Sequence, residues 1–301
     1  MSERRLIDWL RRRIKLPPCV EVGPGDDAAV IRPAAGSRIV VTTDAFLAGT
    51  HFAADASAAR IGHKVIAASV SDIAAMGCYP LASFVTLGLA RSFGESFVLE
   101  LGEAMIAAAE KYDAPIAGGD ITSWTGPLSV TVTVVGETRG LDPVLRSGAK
   151  PGDRIFVTGA LGGSLVGRHL DAPPRVREGI FLNAEIGVNA MMDISDGLII
   201  DLERMMSESK KGAVIYLENL PIPNVLKREG KENFALSGGE DYQLLFAFNK
   251  DKLQDFNEMR KSGFHVSLIG KVTRGKGVKI LRNGKEVKIG SKGYEHFGIN
   301  L

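Results

Sequence analysis

Carboxylates in unusual surroundings carry the most chemical information in this 301-residue chain. Asp26 and Asp27 fall in GPGDDAAV, and Asp44 ends an expected strand within VVTTDAF. Asp72 interrupts the alanine-rich ASVSDIAAMG, Asp120 follows two glycines in AGGDITSW, and Asp193 and Asp196 stand in MDISDGL. An ionised carboxylate in an apolar or glycine-rich segment is costly unless it is paired. No lysine lies within the first four motifs, and carboxylates brought together repel unless protons or cations intervene. Oxygen-only ligands, with no His or Cys spacing for zinc, suit a hard divalent cation, magnesium or calcium. Magnesium usually keeps waters and shares the phosphate oxygens of a substrate, so phosphate chemistry follows. Taken singly, each motif has a plainer reading: a turn at GDD, strand-end caps at Asp44 and Asp193, a helix cap at Ser195 or Asp196. Their recurrence favours a site.

Other polar residues have the same double reading. The turn GALGGS offers backbone amides to a phosphate at a helix N-terminus, but it lacks the GxxxxGK[ST] spacing, and tight helix–strand packing explains it equally well. His51 in AGTHF follows Asp44 closely enough to touch a phosphorylated substrate, whereas a lone histidine is more often structural. Arg146 and Lys150 in RSGAKPGD suit nucleotide phosphates or hinge salt bridges. Glu240 and Asp241 in SGGEDYQLLF suit substrate recognition or a turn before a strand.

The elements that must hold these residues are α/β in character. Strands are expected over 38–43 and 128–136 and helices over 61–76 and 97–111. The stretch RGLDPVLRSGAKPGD, rich in Gly, Pro and charge, marks a boundary near residue 140, dividing 1–140 from 141–301. In the second part, strands are expected over 154–158, 190–193 and 242–248, a helix over 198–207, and a hairpin turn at Asn283–Gly284. The arginine-rich start places Leu6, Leu10 and Ile14 on one stripe of a short packed helix and has no apolar core of a signal peptide.

With 37 basic and 35 acidic residues, no global field draws nucleic acid or membrane to the chain. The basic cluster from Lys271 to Lys292 has no aromatics interleaved for base stacking and reads as a soluble edge. The longest apolar stretch, Val65 to Cys78, is broken by Asp72, and Cys19 and Cys78 form neither a metal motif nor a disulfide framework, which fits the cytoplasm.

The ordered strings GDDAAV, TTD, AGTHF, SDIAAMG, GGD, RSGAKPGD, MDISDGL and GGEDY resemble the thiamine-monophosphate kinase family, within the superfamily of aminoimidazole ribonucleotide synthetase. The resemblance runs from about residue 23 to the closing GYEHFG. It implies an α/β (α+β), two-domain aminoimidazole ribonucleotide synthetase-like fold. The N-terminal ATP/Mg-binding dimerisation domain would pair its sheet across a homodimer, and an α/β domain would follow it. ATP is expected at the domain and dimer junction. Asp27, Thr42, Thr43, Asp44, Asp72, Asp120 and Asp193 would surround several Mg2+ ions, with Asp196 on a further one. Gly119, Asp120, Arg146 and Ser195 would contact ATP. His51, Glu240 and either Tyr294 or Phe297 would contact thiamine monophosphate. The implied reaction is direct attack of the substrate phosphate on the γ-phosphorus of ATP, giving thiamine diphosphate and ADP, the last step of thiamine diphosphate biosynthesis. It needs no dedicated base.

The chain departs from the family pattern with GPGDD, His63 before Lys64, and Gln243, the last of which bears on the charge of the substrate pocket. Two alternatives stay open at this level: another ATP-dependent enzyme of the superfamily, and a non-catalytic binding protein stabilised by divalent ions.

Overall fold

A computed structural model describes residues 3–24, 27–90, 92–164, 167–249, 261, 263–291, 293 and 294. The chain divides into two compact units, Met1–Ala74 with Cys78–Asp142, and Ala75–Gly77 with Pro143–Leu301.

The first unit begins with helix α1 (Glu3–Arg13), whose Arg13 fork grips Glu103 at 2.7 and 2.6 Å. A small antiparallel pair, β1 (Val20–Val22) and β2 (Val30–Ile31), follows. The main sheet contains β3 (Ile39–Leu47), β4 (Tyr79–Ala90), β5 (Ile116–Trp124) and β6 (Ser129–Glu137) in the order β3-β6-β4-β5. Only the β4–β5 pair is parallel, and its crossover is helix α3 (Glu95–Lys111), as a parallel connection requires. Helix α2 (Ala58–Ala75) joins β3 to β4. Strand β6 alternates cleanly, with Val130, Val132 and Val134 fully buried between half-buried neighbours, the period-2 signature of a sheet with one packed face. On edge strand β3 the opposite face leaves Ile39, Val41 and Leu47 exposed.

The second unit is built on a seven-stranded sheet, β13-β12-β9-β11-β7-β10-β8. Its members are β7 (Arg154–Thr158), β8 (Ala190–Asp193), β9 (Gly212–Tyr216), β10 (Leu244–Phe248), β11 (Val266–Thr273), β12 (Gly277–Arg282) and β13 (Lys285–Glu286). Strands β7 and β10 are apolar on both faces because both faces are covered. Ile155, Val157, Leu245 and Ala247 join one core with Leu198, Leu202 and Met205 of α5 (Leu198–Glu208). Phe156, Phe246 and Phe248 stack in the other, with Leu182 and Met191. Shorter helices α4 (Val176–Phe181), α6 (Asn224–Arg228) and α7 (Phe234–Ser237) fill the connections. At the β12–β13 turn both Asn283 (φ 50°) and Gly284 (φ 79°) are left-handed, the geometry that makes Asn-Gly a hairpin signal.

Candidate functional site

In the first unit the inner row of β3 carries Thr42, Asp44 and Phe46, alternating with the exposed Thr43. Helix α2 presents Asp72 to that row, where the Thr42 hydroxyl donates to Asp72 Oδ2. Burial pushes the Asp44 carboxyl up to about 6, and the negative charge of Asp72 adds to the shift. Ser69, one turn before Asp72, lies near enough to temper that shift, yet its buried hydroxyl makes no hydrogen bond of good geometry. Two mutually repelling carboxylates with an underused hydroxyl form an oxygen-only donor set that fits a hard divalent cation. Among the described residues no three His, Cys, Asp or Glu side chains gather closely enough to hold an ion by themselves. A magnesium shell there would take further oxygens from water and phosphate. Thr43 faces the other way and meets Thr133 across the strand pair at 2.9 Å.

Asp27, Gly119 and Asp120 line a different place, a largely apolar cavity of about 600 Å³ beside edge strand β5. Its apolar wall includes Leu10 of α1 and Ile14 just beyond that helix, together with Val98 and Met105 of α3. The N-terminal helix is thus a wall of the cavity, a role that its arginine-rich sequence did not signal. At Gly119 (φ 153°) a β-carbon would lie 1.9 Å from the Val85 carbonyl oxygen, so only glycine lets β5 lie this close to β4. The register aligns Asp44 with Val132, Val85 and Gly119, and aligns Asp120 with Thr86, Thr131 and Ala45 in the adjacent row. Asp44 and Asp120 therefore start from opposite edges of a four-stranded sheet, about 14 Å apart at the usual strand spacing. Asp26 lies outside the described residues.

His51 is held at two points. Its Nδ1 accepts the Leu47 N–H at 3.0 Å, and its carbonyl accepts from the ammonium of Lys64, a lysine buried in α2. With Nδ1 accepting, the neutral ring carries its proton on Nε2.

In the second unit three separate motifs meet backbone to backbone. Asp193 ends β8 in the interior, and the loop Ser195–Gly197 follows it. The Glu240 N–H donates to the Ser195 carbonyl at 2.7 Å and the Tyr242 N–H to that of Ile194 at 2.9 Å. The Tyr294 N–H donates to the Asp196 carbonyl at 2.9 Å. A β-carbon on Gly239 would stand 2.6 Å from the Ser195 oxygen, which explains the glycine before the acidic pair. Glu240 (φ 62°) and Tyr242 (φ 48°) are both left-handed, a strain that concentrates at functional loops. Arg146 is exposed, and its carbonyl accepts from Ser209 Oγ at 3.1 Å. Phe297 lies outside the described residues.

Several side chains that build this region were missed in the sequence. Asp201, fully buried on α5, accepts the N–H groups of Ser195, Asp196 and Gly197 on one oxygen at 3.1, 3.0 and 3.1 Å. It thereby sets the loop conformation, and neither Ser195 nor Asp196 caps the helix, whose N-cap is Gly197. Burial pushes the Asp201 carboxyl up to about 6 despite those hydrogen bonds. Arg204 donates both to Asp201 at 2.8 Å and to Asp196. His169 meets Glu240 at 3.1 Å. A carboxylate three residues into a helix is a recognisable signal for such a loop, whereas His169 has no local one.

Two readings of the sequence are corrected here. The amides of Gly162 and Ser164 in GALGGS are turned inward, donating to Asp241 at 2.6 and 3.2 Å, and the next element among the described residues is a 3-10 turn, Arg168–Leu170. Asp241 is accordingly structural, with burial pushing its carboxyl up to about 6. Gln243 is buried, accepting from Thr158 Oγ1 at 3.0 Å and Arg175 Nε at 2.9 Å while donating to the Asp241 carbonyl at 3.2 Å. A carboxylate could not make the last of these bonds, so the amide serves the interior.

Residues 25–138 match the model of the AIR synthase related protein N-terminal domain, and residues 150–283 match that of the C-terminal domain. The chain is 39% identical to a thiamine-monophosphate kinase of Rhodopirellula baltica over 98% of its own length and 97% of that protein. A thiamine-monophosphate kinase structure from Stenotrophomonas maltophilia superposes with a TM-score of 0.83 at 31% identity, covering 95% of this chain and 98% of the other. A structure described as AaThiL complexed with AMPPCP and TMP gives 0.77 at 31% identity, over 98% and 97% of the two chains. The chain belongs to the AIR synthase related protein family and, within it, to the thiamine-monophosphate kinases.

Proposed function

We propose that this protein transfers the γ-phosphate of ATP to thiamine monophosphate, giving thiamine diphosphate and ADP. The observation that carries the reading is the Thr42–Asp44–Asp72 cluster, an oxygen-only, charge-repelling donor set, in a chain that matches a thiamine-monophosphate kinase over 97% of that protein. The likeness to a structure complexed with AMPPCP and TMP supports the same pair of substrates.

A phosphate oxygen of thiamine monophosphate attacks the γ-phosphorus in line as the bond to the bridging oxygen of ADP breaks. That monoester is largely ionised at neutral pH, so positioning and charge neutralisation replace a general base. Magnesium, when bound, neutralises the phosphate charge that develops during transfer. Asp27, Thr42, Thr43, Asp44, Asp72, Asp120, Asp193 and Asp196 are proposed to hold several such ions. Gly119, Asp120, Arg146 and Ser195 are proposed to contact ATP, with the cavity beside β5 as the nucleotide pocket. His51 would donate through Nε2 to the substrate, Glu240 would bind it through its carboxylate, and Tyr294 or Phe297 would cover a thiamine ring.

We assign residues 1–140 to an ATP- and magnesium-binding dimerisation domain and 141–301 to an α/β domain. A homodimer formed through the first unit's sheet is supported by the exposed Ile39, Val41 and Leu47 on one face of β3. No helix among the described residues is long and apolar enough to cross a membrane, and both cysteines are free, in keeping with a cytoplasmic enzyme.

The test is product formation from ATP, Mg2+ and thiamine monophosphate, with free thiamine and an aminoimidazole precursor as parallel substrates and an EDTA control. Thiamine diphosphate should appear only with magnesium. Product from the aminoimidazole precursor alone would replace this reading with the synthetase one. ATP binding without turnover of any acceptor would favour a binding protein.

A further inference from the structure

Glu240 and Asp241 are consecutive carboxylates with opposite fates, and one stretch of chain receives both. The amides of Gly162 and Ser164 take Asp241 inward. His169 Nδ1 stands 3.1 Å from Glu240 Oε2, with the two side chains only 22% and 31% exposed. The 3-10 turn that carries His169 is set by left-handed Gly167 (φ 86°), anchored by buried Leu170, and tied back by the bond from the Arg168 N–H to the Gly163 carbonyl at 3.3 Å. On the other side, left-handed Glu240 is fixed through its N–H to Ser195. The carboxylate is therefore held from backbone and side chain alike, more constraint than a turn before a strand needs.

We infer that His169 is a positioning residue for the acceptor substrate: through Nδ1–H it fixes the Glu240 carboxylate in the orientation that receives an N–H donor or cationic ring of thiamine monophosphate. This rests on the proposed kinase function and adds to it a determinant of acceptor affinity that lies outside the sequence motifs. An ionised carboxylate accepts at roughly four lone-pair sites. The contact with His169 orients it without exhausting that capacity.

The experiment is steady-state kinetics on the full chain with ATP, Mg2+ and thiamine monophosphate, comparing His169→Ala, His169→Asn, Glu240→Gln and the double variant His169→Ala/Glu240→Gln. His169→Ala should raise KM for thiamine monophosphate by about tenfold to a hundredfold, the effect of losing one hydrogen bond to a charged group. KM for ATP and kcat at saturation should stay within about twofold, the signature of lost binding and not lost chemistry. Asparagine, whose Nδ2 falls near the position of histidine Nδ1, should restore most of the affinity. The double variant should bind thiamine monophosphate no more weakly than Glu240→Gln alone. Should alanine prevent folding, His169→Gln replaces it, since its donor reaches too far and should fail where asparagine succeeds. An unchanged KM in His169→Ala, or losses that simply add in the double variant, would overturn the role of His169 in an otherwise confirmed kinase. A wild-type chain that turns over no thiamine monophosphate would overturn the kinase reading itself and this inference with it.

Discussion

Three carboxyls, half-buried Asp44 and buried Asp201 and Asp241, all rise to about 6, yet they differ in what answers them. Asp201 and Asp241 receive backbone amides and hold loops, while Asp44 faces another carboxylate. Asp44→Asn should therefore raise the melting temperature of the EDTA-treated protein, because it removes a repulsion, and should abolish the stabilisation by Mg2+ seen in wild type. Activity should fall by at least about a hundredfold, as it should for Asp120→Asn, when charge stabilisation at the phosphate is lost. A variant that keeps full activity would remove that residue from the metal site. For Asp241 the folded pKa lies above the unfolded value near 3.9. Its stabilising contribution is therefore complete below about pH 4 and declines as pH rises through about 6. Denaturation of wild type and Asp241→Asn from about pH 4 to 7.5 should show wild type losing stability relative to the variant between about pH 4 and 6, by at most about 1.4 kcal/mol per pH unit, with little further change above.

At the scale of elements, backbone geometry is as decisive as side-chain chemistry. Helix α5 ends in a turn whose bonds, Lys210 N–H to Ser207 and Lys211 N–H to Met206, require Lys210 at φ 55°. Lysine there is exposed and strained, where glycine is the common choice. Lys210→Gly should stabilise the protein by about 0.5–1 kcal/mol in urea unfolding without changing activity, relief of a left-handed residue outweighing the added chain entropy. Gly119→Ala should act in reverse. With a β-carbon 1.9 Å from the Val85 oxygen, β5 must shift, costing about 1–3 kcal/mol and weakening ATP binding measured by calorimetry.

On the scale of the whole molecule, the proposed homodimer makes a direct prediction. Val41 is 59% exposed at the centre of β3, between exposed Ile39 and Leu47 on the same face. Val41→Glu should convert a dimer, measured by light scattering, to a monomer whose own melting transition is retained, since the side chain contributes little to the fold of its unit. A wild-type chain that is monomeric at micromolar concentration would remove the dimer from the proposed function.

The sequence by itself determined the chemistry and the fold class, because both are written locally. Carboxylates in glycine-rich or alanine-rich strings announce oxygen-rich sites, and strands such as 154–158 and 190–193 declare themselves by continuous apolar runs. Strand β4, the longest in its sheet, was not legible, since Pro80, Ala82 and Gly88 depress its strand propensity and the pairing with β5 and β6 supplies what propensity lacks. Tertiary structure alone decided which carboxylates became scaffold. Asp241 allowed either reading in the sequence and is bound by amides from 162 and 164, whereas Asp201, which holds the loop of Ser195 and Asp196 only five and six residues away, carried a local signal that went unread. The pairing of His169 with Glu240 was equally hidden. A contact between residues seventy or more apart in sequence leaves no mark on either one's neighbours, so only the folded chain reveals the partner.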